Sequence, residues 1–207
     1  FDSEDKLNLG CPGIAGHRGA NLGLHNSDLI IAIGSHLNSS IVTVRPTSFA
    51  PNARIIMIDI DKNETDNSPL NLTKSINCDI NKLFTYLDKT KFNYQNTNKE
   101  WFQYTSKYRE QNLIALNYQK NTDKINSYYF QHVLSKMLDK SYSYVIDGGG
   151  TIVYSSFQSL RIKKNQKVIL STSLCSMGSG IPESIGVHYA DKKKKIICFI
   201  FEINCNS

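Results

Sequence analysis

Two strand ends in the sequence carry residues suited to a phosphorylated ligand. Gly34 follows the apolar run Asp28–Ile33, and Asp59 lies at the end of a second run that begins at Arg54. A glycine at a strand end lets backbone approach a phosphate or a ring, and a carboxylate at the next strand end can meet a ribose hydroxyl. That is the chemistry of a nucleotide-like ligand. A second group of glycines, Gly148, Gly149, Gly150, Gly178, Gly180 and Gly186, brackets Met177. Glycine is needed where backbone takes positive φ or approaches a ligand closely. Five cysteines (Cys11, Cys78, Cys175, Cys198, Cys205) contain no C-x-x-C pair. Their scatter argues against a zinc site and a disulfide framework, and for a reducing, cytoplasmic compartment. No metal ligand set is read from the residues.

Composition narrows the class. An apolar fraction of 40% and a charged fraction of 20% are those of an ordinary globular protein. No apolar run approaches the roughly 18 residues of a membrane span, and no signal-peptide pattern opens the chain, so no membrane partner is expected. The net charge of +6 is concentrated in Lys192–Lys195, with Lys163, Lys164 and Lys167 as a second cluster. A lysine run at a strand entrance reads as a solvated turn, and no recognition motif accompanies it, so no nucleic-acid partner is expected. The start at Phe1 rather than methionine points to sequence missing upstream.

The elements that must position these residues follow from periodicity. The first segment has a glycine-rich loop at Gly10–Gly16, a short helix over His17–Asn26, strands Asp28–Ile33 and Arg54–Ile60, and a helix over Asp79–Asp88. In that helix Leu83, Phe84 and Leu87 are expected to face inward. Strands apolar on both faces and alternating with helices predict a parallel sheet covered on both sides. From Leu70 to Asp147 there is neither glycine nor proline. Within that stretch Trp101, Tyr104, Tyr108 and Ala115 recur at helical spacing, a packing stripe on a helical connector. The second segment reads as a helix near Ser127–Leu138, a strand Tyr142–Ile146, the loop Asp147–Gly150 and a helix Thr151–Leu160. A strand Lys167–Leu170, a loop Ser171–Ser176, a helix through Tyr189 and a strand Ile196–Phe201 complete it. The fold class is therefore α/β, with two parallel-sheet segments joined by a helical connector. The divisions fall at 1–90, 91–124 and 125–207.

Two stretches go beyond generic α/β. Gly10-Cys-Pro-Gly-Ile-Ala-Gly-His-Arg-Gly-Ala-Asn-Leu22, with Ser27–Gly34 and Phe49–Asp61 after it, resembles the central domain of thiamine diphosphate-dependent, acetolactate-synthase-like enzymes. Ser173-Leu-Cys-Ser-Met-Gly-Ser-Gly-Ile-Pro-Glu-Ser-Ile-Gly186 resembles the Met-Gly turn and helix of that family's diphosphate-binding domain. Two segments in the family's order and distance make the resemblance specific. It implies thiamine diphosphate with magnesium as cofactor, a small 2-oxo acid as substrate and a homo-oligomer. It also implies that Gly149 and Gly150 lie at the diphosphate, where a helix start suits an anion. Met177 would support the bent cofactor, with Gly178 and Gly180 at the aminopyrimidine.

Departures from the family set further expectations. Flavin-binding relatives carry Arg and Asp after the Gly34 position; here the stretch is Ser35-His-Leu-Asn-Ser-Ser40, so FAD is not expected. Ser173 and Cys175 stand where the family often has glycine, and Gly150 and Thr151 where it often has polar contacts. The strand at Ile196 should run into Gly-Asp-Gly-Ser, whose Asp holds magnesium, but runs into Phe201-Glu-Ile-Asn204, with Glu202 at the Asp position. The resulting expectation is a 2-oxo-acid decarboxylase or carboligase reduced to a truncated, inactive fragment. A non-catalytic nucleotide- or partner-binding remnant is the alternative.

Overall fold

The structure, a computed structural model, describes residues 2–90, 98–111, 117–118, 123–171 and 174–200. Its contacts form two compact units, one of Pro12–Ile14 and Arg18–Arg109, the other of Phe1–Cys11, Ala15–His17 and Glu110–Ser207. This grouping differs from the division at 1–90, 91–124 and 125–207. Ser3 and Glu4 bind Arg161 and Ile162, which ties the first residues to the second unit. Of the helix α5 (Lys99–Gln111), the residues up to Arg109 in turn group with the first.

The first unit carries a three-stranded sheet in the order β1 (Leu29–Ile33), β2 (Arg54–Asp59), β3 (Lys74–Asn77), all parallel. Helix α1 (Arg18–His25) precedes β1, α2 (Ser39–Val42) lies between β1 and β2, α3 (Lys62–Asp66) between β2 and β3, and α4 (Ile80–Lys89) follows. Asn38, Asp61 and Asp79 cap α2, α3 and α4, each side chain accepting a backbone N–H of the first turn. Strand β3 escapes the sequence reading because Lys-Ser-Ile-Asn holds one apolar residue and all four positions are exposed. The core gathers Ile30, Val42, Ala50, Ile55 and Leu70, with Leu24 and Phe49 against it.

The expectation of a sheet covered on both faces is corrected here. Along β1 the burial alternates: Ile30 and Ala32 are buried, whereas Ile31 is 52% exposed. Helix α4 forms where expected, yet none of its residues is buried and Phe84 is 49% exposed. Helical periodicity creates an apolar face without supplying a partner for it. On α5, Trp101 stacks on Tyr104 at 5.5 Å and Tyr104 meets Tyr108 edge to face at 4.7 Å. Packing of α1 on this helix is close, since a Cβ at Gly19 would lie 2.9 Å from the Tyr108 carbonyl oxygen. Ala115 lies outside the described residues.

The second unit carries a parallel sheet in the order β5 (Val168–Leu170), β4 (Tyr142–Ile146), β6 (Lys195–Phe199). Helices α6 (Ser127–Met137), α7 (Gly150–Ser159) and α8 (Gly180–Ala190) alternate with the strands. On one face Tyr144, Ile146 and Phe199 pack with Leu160, the Tyr144 and Phe199 rings stacked at 6.2 Å. Helices α6 and α7 meet through buried polar and small residues, with Gln131 donating to the Ser155 hydroxyl at 2.6 Å. The residues that follow the β6 strand from Phe201 onward, Glu202 among them, lie outside the described residues.

Candidate functional site

Side chains alternate along β4, so Asp147, the next residue after Ile146, falls on the same face as Ser143 and Val145. It is fully buried. Oδ1 accepts the N–H of Gly148 at 3.0 Å and of Gly180 at 3.1 Å, and Oδ2 accepts the N–H of Gly178 at 3.1 Å. A buried carboxyl group is tolerable only with such partners. Three backbone donors, one of them the first N–H of α8, also place the acid where the helix dipole favours negative charge.

Glycine makes this convergence sterically allowed. A Cβ at Gly148 would sit 2.3 Å from the Cys175 carbonyl carbon, and one at Gly180 would meet Cys198 Sγ at 3.1 Å and Asp147 Cβ at 3.2 Å. Gly150 (φ +53°) and Gly178 (φ +84°) occupy left-handed backbone. Gly149 is the N-cap residue of α7. Gly149, Gly150, Met177, Gly178 and Gly180 are thus brought to one place at the carboxyl end of β4. Met177 is 61% exposed and is therefore not part of the core. The sequence reading passed over the role of Asp147, although an acid directly before three glycines was the available signal.

Gly34 and Asp59 also come together, in the first unit. Ile33 pairs with Ile58 across β1 and β2, which places Gly34 beside Asp59 at the carboxyl ends of the two strands. The Gly34 N–H donates to the Ile58 carbonyl at 2.9 Å, and φ is +57° with open space where a Cβ would stand. Here glycine answers a backbone requirement, not a close neighbour. The Asp59 carboxylate accepts the Asp61 N–H at 3.0 Å. His36 Nδ1 lies 2.5 Å from Glu64 Oε2 at the same edge, a pair the sequence did not reveal.

The lysine clusters have local work. Lys163 Nζ donates to the carbonyls of Lys136 and Leu138 at the end of α6, and Lys194 Nζ to those of Lys140 and Asn165. Cations at a helix C-terminus satisfy carbonyls left over by the helix. Among the described residues no three His, Cys, Asp or Glu are grouped to hold a metal ion, and no helix is long and apolar enough to cross a membrane.

A pair of parallel α/β units with glycine loops at the carboxyl ends of their strands is an open-sheet architecture, in which ligands sit beyond the strand ends. Residues 1–87 match the family described as thiamine pyrophosphate enzyme, central domain. The chain is 29% identical over 196 residues to the acetolactate synthase large subunit of Buchnera aphidicola subsp. Schizaphis graminum, covering 90% of this chain and 32% of the relative. It is 24% identical to the isozyme 1 large subunit of Escherichia coli K12 (93% and 33% covered). With the mitochondrial acetolactate synthase catalytic subunit of Saccharomyces cerevisiae the identity is 29% (95% and 30% covered). The likeness of residues 1–87 is thus to a thiamine pyrophosphate enzyme central domain, and the chain as a whole is similar to acetolactate synthase large subunits. The chain spans about a third of the length of these relatives.

Proposed function

We propose that the chain is part of a thiamine diphosphate-dependent 2-oxo-acid decarboxylase or carboligase, with residues 125–207 holding the cofactor and residues 1–90 forming the central domain. The observation that carries this reading is the Asp147 convergence, which fixes the Met177 loop against the start of α7. The residues present fit the organic part of the cofactor. Met177 is exposed and its thioether is able to lie against a ring. The N–H groups of Gly178 and Gly180 are committed to Asp147, so this loop offers a ligand carbonyl oxygens, which suit an amino group. Gly149 and Gly150 open α7, where the helix start suits a diphosphate. Thiamine diphosphate, when bound, supplies carbanion stabilisation for decarboxylation or carboligation of a 2-oxo acid.

Magnesium has no comparable fit. Asp147 is the single acid of the two loops, and it is buried with both oxygens on backbone N–H groups. Octahedral magnesium calls for one or two carboxylates beside phosphate oxygens. The described residues therefore offer a site for the organic part of the cofactor without a ligand set for magnesium. The test joins the chain to the remaining segments of an acetolactate synthase with Phe201→Gly, Glu202→Asp, Ile203→Gly and Asn204→Ser. Cofactor binding is read by calorimetry and 2-oxo-acid consumption by assay. Binding weakened about tenfold by Met177→Ala is the expected result. If a folded assembly ignores thiamine diphosphate but binds a nucleotide, the binding-remnant alternative replaces this reading.

A further inference from the structure

A cavity of about 410 Å³ opens in the first unit between α1 and residues 40–49. Its walls are largely apolar, with Ile14, Leu22, Ile41, Val42 and Phe49 among them. Its charge is one-sided. Arg18 and His25 line it from α1, seven residues and about 10 Å apart along the helix. None of the lining residues is acidic, and among the described residues neither Arg18 nor His25 joins an ion pair.

The rim is held open by its own hydrogen bonds. Asn21 accepts the Gly13 N–H at 2.7 Å and donates to the Gly13 carbonyl at 2.9 Å, and the Ile14 N–H donates to the Ser40 carbonyl at 2.8 Å. Gly13 has φ +108°, and a Cβ there would lie 2.7 Å from the Ser40 carbonyl oxygen. Thr43, also on the lining, holds φ +72°, a strained conformation of the kind found at ligand sites. Gly34, His36, Asp59 and Glu64 do not line the cavity, so it is separate from the strand-end site.

We propose that this cavity binds a small aryl carboxylate, its ring between Leu22, Ile41 and Phe49 and its carboxylate on the Arg18 guanidinium. The volume lies in the usual range for small-molecule sites, which combine apolar walls with a few placed polar groups. A guanidinium fork matches a carboxylate bidentately, and the apolar walls take the ring. The site does not depend on the thiamine reading.

The experiment titrates the isotopically labelled 207-residue chain with benzoate, benzyl alcohol and benzylamine, following amide shifts by NMR. Saturable shifts at Ile14, Leu22, Ile41 and Phe49 with benzoate are expected, in the millimolar range for so small a ligand. Benzyl alcohol should bind at least about fivefold more weakly, and benzylamine should not saturate. Arg18→Gln should weaken benzoate about tenfold, with Arg18→Lys recovering part of the loss. Arg18 is exposed, so neither variant threatens folding, and an unchanged urea midpoint checks this. Equal binding of benzoate and benzyl alcohol, an Arg18→Gln variant that binds like the parent, or no benzoate shifts at the four residues would each overturn the proposal.

Discussion

Gly148 and Cys175 are in backbone contact: a methyl group on the glycine would come within 2.3 Å of the cysteine carbonyl carbon. The obstacle is main chain, which cannot swing aside as a side chain can. Gly148→Ala should therefore cost about 3 kcal/mol, the upper end for overpacking. Gly150→Ala, which only has to place alanine at φ +53°, should cost about 1–2 kcal/mol. Urea unfolding followed by circular dichroism ranks the two. The single tryptophan, Trp101, belongs to the first unit and is a poor reporter of the second. Equal costs would remove the close-contact argument.

Asp147→Asn keeps the volume but turns one acceptor oxygen into a donor facing backbone N–H groups. Leaving a buried donor without an acceptor costs about 1–3 kcal/mol, and a loss of about 2 kcal/mol is expected. Amide exchange at Gly178 and Gly180 should accelerate by about thirtyfold, the same energy read locally. Exchange unchanged at both glycines would mean that the carboxylate does not hold the loop.

Acid should destabilise the second unit before the carboxylates titrate. Burial lowers the His132 pKa below its ordinary 6.5, helped by nearby Lys136 and Arg161, and burial likewise lowers His17. A folded-state value below the unfolded one means that the unfolded chain takes up more protons as pH falls. Stability is then fully present above about pH 6.5 and declines as pH drops through and below it. The slope cannot exceed about 1.4 kcal/mol per pH unit for each histidine. Urea midpoints at pH 7.5 and pH 5 measure the decline, and His132→Gln should flatten it. A His132→Gln variant with the parental slope would assign the effect elsewhere.

The chain should not retain flavin, because Ser35–Ser40 lacks the Arg and Asp of flavin-binding relatives. Purified protein incubated with FAD and passed through gel filtration should emerge colourless. Flavin absorbance co-eluting with the protein would refute this.

No turnover is expected from the 207 residues alone with thiamine diphosphate, magnesium and pyruvate. Two loops whose one acid is consumed internally leave the diphosphate charge to backbone dipoles. Carbon dioxide release above the rate without protein, measured by coupled assay, would contradict the proposed division of labour.

Much of the fold was legible in local pattern. Tyr142–Ile146 is a strand because four residues of high β-propensity in a run of five lie between turn residues, and Asp79 announces α4 as its cap. What escaped was non-local. Strand β3 exists through its pairing with β2, and nothing in Lys-Ser-Ile-Asn declares it. The apolar spacing of α4 was visible, but not what lies beside Phe84. The glycines of the candidate site were marked in advance because positive φ, at Gly34, Gly150 and Gly178, and close backbone approach, at Gly148 and Gly180, both leave a residue-level signature. The part played by Asp147 was hidden because two of its donors, Gly178 and Gly180, lie 31 and 33 residues further along the chain.

The same carboxyl group has a dynamic consequence. It joins the last turn of a central strand to the first turn of a helix, so neither the Met177 loop nor the start of α8 can fray alone. Each would have to break bonds to a residue embedded in the sheet. Opening of this edge is thereby made cooperative with opening of β4, and its protection should rise to the level of the strand. A loop of glycine, serine and methionine, built from residues usual in mobile segments, is held to the buried central strand of its unit.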